Sequence, residues 1–137
     1  MNEQRERLLA TWPGTGYWTM PAVHPITGSQ WELRVSTPHL EKLCKANVHQ
    51  VRQLRDLVPG VVLHPESIWL GLKRDGEAQD SGWCYAGRPS RASNGKLLFL
   101  VFVNEERTIY EWYWSDPDPL FPNLPVNHKA RFTKQLL

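Results

Sequence analysis

The sequence has only two cysteines, Cys44 and Cys84, and no short spacing joins them. This pattern is neither the disulfide framework of a small secreted domain nor a zinc motif. Closely spaced histidine pairs and clustered carboxylates are also missing. Glycine-rich phosphate loops, a dinucleotide-binding fingerprint and a nucleophile elbow are likewise absent, so the sequence predicts a protein without a metal or a cofactor.

Long apolar runs and a strong charge of one sign are absent too. No segment approaches the roughly 18 to 20 apolar residues that span a bilayer, and the amino terminus is polar, which predicts a cytoplasmic protein with no membrane partner. Sixteen Lys and Arg against fourteen Asp and Glu leave a net charge of +2. That excess is too small for binding nucleic acid through bulk charge, so any RNA site must be local.

The length and the hydrophobic content are those of one ordinary globular domain. The chain has 137 residues, of which 41% are hydrophobic and 22% are charged, so it can bury a core and is far from the composition of disordered chains,. We therefore expect a single domain over residues 1–137. Within it, residues 1–29 would form an N-terminal helix with an ordered loop, and residues 30–137 the core.

The hydrophobic periodicity predicts an α+β fold, with an N-terminal helix or helices packed on one antiparallel sheet of four to five strands. A short helix is expected over residues 4–11, and an ordered loop over residues 17–28, which contain two prolines and a glycine,. Residues 30–35 alternate apolar and polar side chains, as a strand does. A long helix should begin at Ser36 or Thr37 and stop at Pro59.

Four further runs have the composition of strands and short connections between them. They are Ile68 to Leu72, Trp83 to Gly87, Lys96 to Val103 and Thr108 to Ser115,. Asn94-Gly95 predicts a hairpin, and consecutive strands with short connections pair antiparallel. Residues 116–125 are proline-rich and predict a stiff loop, whereas residues 130–137 fit either a last strand or a short helix.

Two stretches carry basic residues and no acidic ones. A phosphate site requires such a stretch, because nearby carboxylates would neutralise its cations. From Ser81 to Asn104 the charges are Arg88, Arg91 and Lys96, and from Pro119 onwards they are Lys129, Arg131 and Lys134, beside His128. Charged sheet edges explain the same residues without RNA. Among the interleaved aromatic residues, Tyr110, Trp112 and Trp114 form a stripe typical of a core, so Tyr113, on the other face, is the better candidate for stacking a base.

The order of elements and several short motifs resemble a nuclease superfamily. A histidine-bearing helix start, Ser36-Thr37-Pro38-His39-Leu40, and a strand start, His64-Pro65-Glu66-Ser67-Ile68-Trp69, are similar to phage-associated nuclease domains of the barnase, EndoU, colicin and RelE superfamily, the BECR fold. The strand Trp83-Cys84-Tyr85-Ala86-Gly87-Arg88 and the terminal Arg131-Phe132-Thr133 extend the likeness. Residues 30–137 would then be a nuclease-like core. His49 stands displaced from the second histidine of such domains, and residues 116–125 lengthen the usual last connection.

The resemblance implies a metal-independent, toxin-like endoribonuclease, a hydrolase that cuts RNA through attack of the 2′-hydroxyl and leaves a 2′,3′-cyclic phosphate. It implies RNA, with tRNA as one candidate, as the substrate and an inhibitor or antitoxin protein as a partner. His39 or His49 would transfer the proton, Arg88 and Arg131 would bind the scissile phosphate, and Tyr85 and Thr133 would orient it. The implied RNA-binding residues are Arg91, Lys96, Tyr113 and Lys129.

The same residues also allow a non-catalytic protein-binding module, antitoxin-like or a scaffold, that uses an aromatic and proline-rich surface. In that case His39 would simply occupy a helix start and Arg88 a sheet edge. Convergence of a histidine with Tyr85, Arg88 and Arg131 in one concave patch would favour catalysis. Exposed Trp112 and Trp114 beside the proline-rich loop would instead favour partner binding.

Overall fold

The computed structural model describes residues 17–70, 82–89, 97–117 and 134–135, which form an α+β fold. In chain order the elements are β1 (Tyr17–Val23), β2 (Gln30–Ser36), α1 (Thr37–Ala46), α2 (Val48–Asp56), α3 (Val58–Leu63), β3 (Ser67–Leu70), β4 (Trp83–Gly87), β5 (Leu98–Val103), β6 (Ile109–Ser115) and β7 (Lys134–Gln135). No helix in these ranges is long and apolar enough to cross a membrane.

The strands form two antiparallel sheets rather than the single sheet expected. β1 and β2 pair as a two-stranded sheet, and the other five strands pair in the order β6-β5-β4-β3-β7. The two sheets meet where the Arg34 N–H donates to the carbonyl oxygen of Arg107 at 2.9 Å, beside a parallel bridge between Arg34 and Thr108. Within the described residues, the helices come after the β1–β2 hairpin. The helix predicted over residues 4–11 lies outside the described residues.

The loop predicted over residues 17–28 is wrong over its first part, which is strand β1. Met20 and Ala22 are buried on one face of this strand, whereas Pro21 between them is exposed opposite Glu32. A proline cannot donate a ladder hydrogen bond, but a two-stranded sheet has open edges where that loss is tolerated. The prolines are the reason that a loop was predicted here. Buried and exposed residues nevertheless alternate along β1, as in an ordinary strand,.

The predicted long helix begins where expected but is broken twice. Asn47 interrupts it with φ −157° and ψ 86°, and its side chain accepts a hydrogen bond from the Gln50 N–H, which makes it the N-cap of α2,. The predicted stop at Pro59 is wrong, because Pro59 lies in the first turn of α3. A proline fits there since the first N–H groups of a helix have no intrahelical partner.

The predicted strands after the helices are confirmed, with small differences at their ends. β4 has the predicted bounds, and β3, β5 and β6 pair antiparallel with their neighbours. Within residues 130–137 the described pair Lys134–Gln135 is strand, paired with β3. The predicted hairpin turn at residues 94–95 lies outside the described residues, as does most of the loop predicted over residues 116–125.

Two apolar clusters lie on opposite faces of the five-stranded sheet. The larger one joins the helices and the β1–β2 hairpin to one face, and includes Leu54, Val58, Tyr85, Phe99 and Trp112. The other face carries Trp69, Cys84, Ala86, Leu98, Leu100 and Phe102. Burial raises the pKa of the Cys84 thiol, as befits a core residue rather than a nucleophile,.

The predicted stripe of Tyr110, Trp112 and Trp114 is split between these faces. Phe102 pairs with Glu111 and Val103 with Ile109, so Tyr110 is the extra residue of a β-bulge,. Trp112 and Trp114 pack in the larger cluster, whereas Tyr110 packs with the smaller one. A period of two cannot be followed through such a bulge.

Replacing Gly60 with alanine should stabilise the protein. Gly60 lies within α3, and a Cβ atom there would meet nothing within 4 Å. We expect the free energy of unfolding to rise by about 0.5–1 kcal/mol, since alanine loses less conformational freedom in a helix. Urea unfolding measures this change. Gly28→Ala is the matched control of opposite sign, because Gly28 has φ +72°, and equal effects of the two changes would contradict the argument.

Candidate functional site

A concave surface lies where the end of α2, helix α3 and the end of β4 meet. This cleft, of about 300 Å³, is called here the Arg88 cleft, and its lining residues are Asp56, Leu57, Gly60, Val61, His64, Gly87, Arg88 and Pro89. Its walls are apolar on the helix side and charged at the rim. Because it is built on the ends of regular elements, its geometry is fixed by the sheet and the helices rather than by a free loop.

The pairing of β3 with β4 places Glu66 beside Arg88. Ser67 lies opposite Ala86, and the Glu66 N–H donates to the carbonyl oxygen of Ala86 at 2.8 Å. If this register is continued, Glu66 lies opposite Gly87. Arg88, the next residue along, donates from Nη1 to Glu66 Oε1 in an ion pair. The Arg88 side chain is 17% exposed and the Glu66 side chain 38%. The cation is therefore half-buried, and its carboxylate partner is accessible to a ligand.

His64 and Asp56 complete the polar rim of the cleft. The His64 N–H donates to the Gly60 carbonyl oxygen at 2.9 Å and so ends α3, while its ring is exposed. Asp56 accepts two hydrogen bonds from Arg55, and these hold the pKa of the Asp56 carboxyl below its ordinary value. The titratable or charged side chains in the lining are therefore Asp56, His64 and Arg88.

Gly87 allows the strand and helix to approach closely at the floor of the cleft. A Cβ atom at Gly87 would lie 3.4 Å from Val61 Cγ1, at the lower edge of ordinary contact distance. Val61 of α3 thus lies within contact distance of the β4 backbone, and Gly87 adds no side chain to this part of the cleft.

Tyr85, predicted as a catalytic residue, is part of the core. Its hydroxyl donates to the Val23 carbonyl oxygen at 2.6 Å and accepts from Trp31 Nε1 at 3.0 Å. Desolvation by burial raises the pKa of Tyr85 well above its ordinary value, so the phenol stays protonated,. These two hydrogen bonds connect the β1–β2 hairpin to β4.

The two histidines predicted for proton transfer do not line the Arg88 cleft. His39 lies in the first turn of α1, half-buried, with its ring edge-on to Trp112 at a centroid distance of 6.4 Å. His49 is exposed on α2, where its Nε2 lies 3.4 Å from Gln53 Nε2. Of the predicted catalytic residues that are described, only Arg88 faces the cleft.

The remaining predicted site residues give little support to one RNA surface. Tyr113 is half-buried rather than an exposed platform, because it stacks on Phe102 at 5.4 Å between ring centroids. The other predicted residues lie outside the described ranges; they are Arg91, Lys96, Lys129, Arg131 and Thr133. His64 and Glu66 carried no predicted role. Their position in the sequence could have indicated them, because they come directly before β3, next to the end of the neighbouring strand β4.

His39 should make the protein less stable in mild acid. Desolvation by burial, together with the nearby Lys42, lowers the pKa of His39 from the ordinary value of 6.5. Below that pH the unfolded chain binds a proton more readily than the folded chain does, so the stability due to neutral His39 is lost as the pH falls. His39→Gln should lose less stability than wild type between pH 7.5 and 5.5 in urea unfolding. Parallel losses in both proteins would refute this role.

A second cleft, of about 490 Å³, lies at the junction of the two sheets. Its lining residues are Thr19, Glu32, Arg34, Glu105, Glu106 and Arg107. Its three carboxylates outnumber its two arginines, whereas the lining of the Arg88 cleft has one carboxylate, one arginine and one histidine. A phosphate would therefore meet less negative charge in the Arg88 cleft. The Arg88 cleft is therefore the stronger candidate site.

The described side chains include no cluster of three or more histidine, cysteine, aspartate or glutamate residues that could hold a metal ion. The lining of the Arg88 cleft offers one guanidinium, one imidazole and the Asp56 carboxylate, and the Glu66 carboxylate is paired to the guanidinium. No protein family, curated protein or solved structure matches the chain.

Proposed function

We propose that the protein is a metal-independent endoribonuclease whose active site is the Arg88 cleft. The observation that carries this proposal is a cleft lined by both Arg88 and His64, with the Glu66 carboxylate paired to Arg88. These are the three kinds of group that the reaction needs: a cation for the phosphate, a base and an acid. The predicted function and Arg88 are kept, and Glu66 and His64 take the proton-transfer roles that were predicted for His39 or His49.

The proposed reaction is a transfer within the RNA backbone. Glu66 accepts the proton of a ribose 2′-hydroxyl, and the oxygen forms a bond to the adjacent phosphorus. The bond from phosphorus to the 5′-oxygen breaks, and protonated His64 supplies the proton to that leaving oxygen. The products are a 2′,3′-cyclic phosphate and a 5′-hydroxyl. Arg88 stabilises the charge that develops on the phosphorus oxygens.

The ion pair between Glu66 and Arg88 is compatible with this reaction. Arg88 Nη1 contacts Glu66, and a guanidinium carries its N–H donors in a fixed planar fork that matches the geometry of phosphate oxygens,. The same contact holds the base next to the phosphate site. The volume of about 300 Å³ is at the lower limit of ordinary ligand pockets, which suits one nucleotide unit rather than a duplex,.

The alternative of a protein-binding module has less support in the described part of the chain. Trp112 is 2% exposed and Trp114 is half-buried against the core, so the two do not form the exposed patch that would favour it. Ile26 is the only large hydrophobic side chain exposed among the described residues. A toxin role, tRNA as the target and an antitoxin partner remain predictions from the resemblance.

The test is incubation of the purified protein with total RNA and with tRNA in the presence of EDTA, followed by mapping of the product ends. We expect cleavage that leaves 2′,3′-cyclic phosphate and 5′-hydroxyl ends. Intact RNA at high protein concentration would contradict the proposal. Cleavage that needs an added divalent metal would contradict the mechanism.

A further inference from the structure

The turn between β1 and β2 is closed by a histidine side chain. His24 Nδ1 accepts hydrogen bonds from the backbone N–H groups of Ile26 at 3.1 Å and Thr27 at 3.3 Å. The backbone closes the same turn, since the His24 N–H donates to Ser29 and the Gly28 N–H to His24. A ring nitrogen can accept only when it carries no proton. The geometry therefore requires a neutral ring with its hydrogen on Nε2.

Protonation would reverse the role of this nitrogen. The imidazolium ring has N–H donors at both positions, so Nδ1–H would face two backbone N–H donors. Both hydrogen bonds would be lost and replaced by repulsion between donors. Histidine is the side chain that ordinarily changes its charge between about pH 5 and 8.

The ring of His24 also contacts the segment that fastens the hairpin to the main sheet. It packs on Trp31 with ring centroids 4.4 Å apart. The Arg107 guanidinium, from the turn between β5 and β6, lies 5.6 Å from the centroid of the same Trp31 ring. From β4, the uncharged Tyr85 hydroxyl accepts from Trp31 and donates to Val23. No ion pair involves His24 within the described ranges.

We propose that His24 is a pH-sensitive latch of the β1–β2 turn, in which the neutral ring holds residues 24–29 closed and the protonated ring releases them. The closed turn presents Ile26, which is 74% exposed, at a fixed position at the hairpin tip. Acid therefore loosens the tip of the hairpin and leaves the ladder between β1 and β2 paired. This device is independent of the RNA site.

Nuclear magnetic resonance of the whole protein tests the latch. At pH 7.5 the ring nitrogens of His24 should show hydrogen on Nε2 and none on Nδ1. On lowering the pH, the amide shifts of Ile26 and Thr27 should change together with the ring. Protection of these two amides from hydrogen exchange, corrected for the intrinsic rate, should fall about tenfold on loss of the two bonds. A proton on Nδ1 at pH 7.5, or amides that do not follow the ring, would overturn the proposal.

His24→Asn is the matched control. An asparagine side-chain oxygen accepts from the same backbone positions in a turn and does not titrate. We expect its Ile26 and Thr27 amides to stay protected at both pH values. A pH response of these amides in His24→Asn equal to that of wild type would also overturn the latch. The measurement on wild type alone decides the question if this variant does not fold.

Discussion

Replacing Glu66 with glutamine is expected to slow RNA cleavage in EDTA by about 100- to 10,000-fold, the usual contribution of a positioned general base. Glutamine has the same shape and keeps an oxygen that can accept from Arg88. It cannot take a proton from a 2′-hydroxyl. The rate of the chemical step should therefore fall while RNA affinity stays nearly constant. Single-turnover cleavage of a labelled oligonucleotide, beside a binding measurement, separates the two quantities.

Arg88→Ala should reduce cleavage by about 100- to 1,000-fold, because the developing phosphorane charge loses its donor. The matched control is Arg107→Asn, which removes a cation that lies in the second cleft. Asparagine tolerates the left-handed backbone of this position, φ 63°,. Equal losses in Arg88→Ala and Arg107→Asn would mean that bulk charge matters rather than the cleft.

The sequence assignment and the structural assignment of the acid and base can be separated directly. His39 or His49 was predicted for proton transfer, whereas the structure places His64 in the lining of the cleft and Glu66 against Arg88. If His39→Ala abolishes cleavage at full stability while Glu66→Gln and His64→Gln cleave at the wild-type rate, the proposed site is wrong. The reverse pattern would establish the Arg88 cleft.

The strands β3 to β6 were predictable from their composition. The run from Trp83 to Gly87 and the apolar run ending at Val103 are short and rich in aromatic and aliphatic residues, which favours strand over helix,. The breaks between the helices were not predictable, because Val51, Leu54 and Val58 keep a helical spacing across the break at Leu57. A proline also has two meanings: it ends one helix or begins the next, and only the backbone at the preceding residue decides.

Arg88 was predictable as a cation in a stretch without acids, but its partner was not. Glu66 meets Arg88 only through the register between β3 and β4, and a shift of one residue would place it on the other face,. Tyr85 was misassigned for a related reason. Its neighbours Trp31 and Val23 lie more than fifty residues away in the chain, on a hairpin that was predicted to be partly loop.

Phe99→Ala is expected to lower the free energy of unfolding by about 3–5 kcal/mol, through lost apolar transfer and the cavity that remains. Phe99 is fully buried in β5, and its ring contacts Trp114 edge-on at 5.0 Å. A domain of this kind has only about 5–15 kcal/mol of stability in total. The variant should therefore unfold at a much lower urea concentration, which tryptophan fluorescence and circular dichroism will measure.

Phe99 also connects the core with the proposed site, because it pairs across the sheet with Gly87 at the floor of the cleft. An aromatic side chain covers the glycine opposite and supplies the packing that glycine lacks. Cleavage per folded molecule should therefore fall in Phe99→Ala and recover in Phe99→Leu, which restores most of the volume. Ile26→Ala, at an exposed tip, is the control and should change stability by less than about 0.5 kcal/mol. A loss below about 1 kcal/mol in Phe99→Ala would contradict its place in the core.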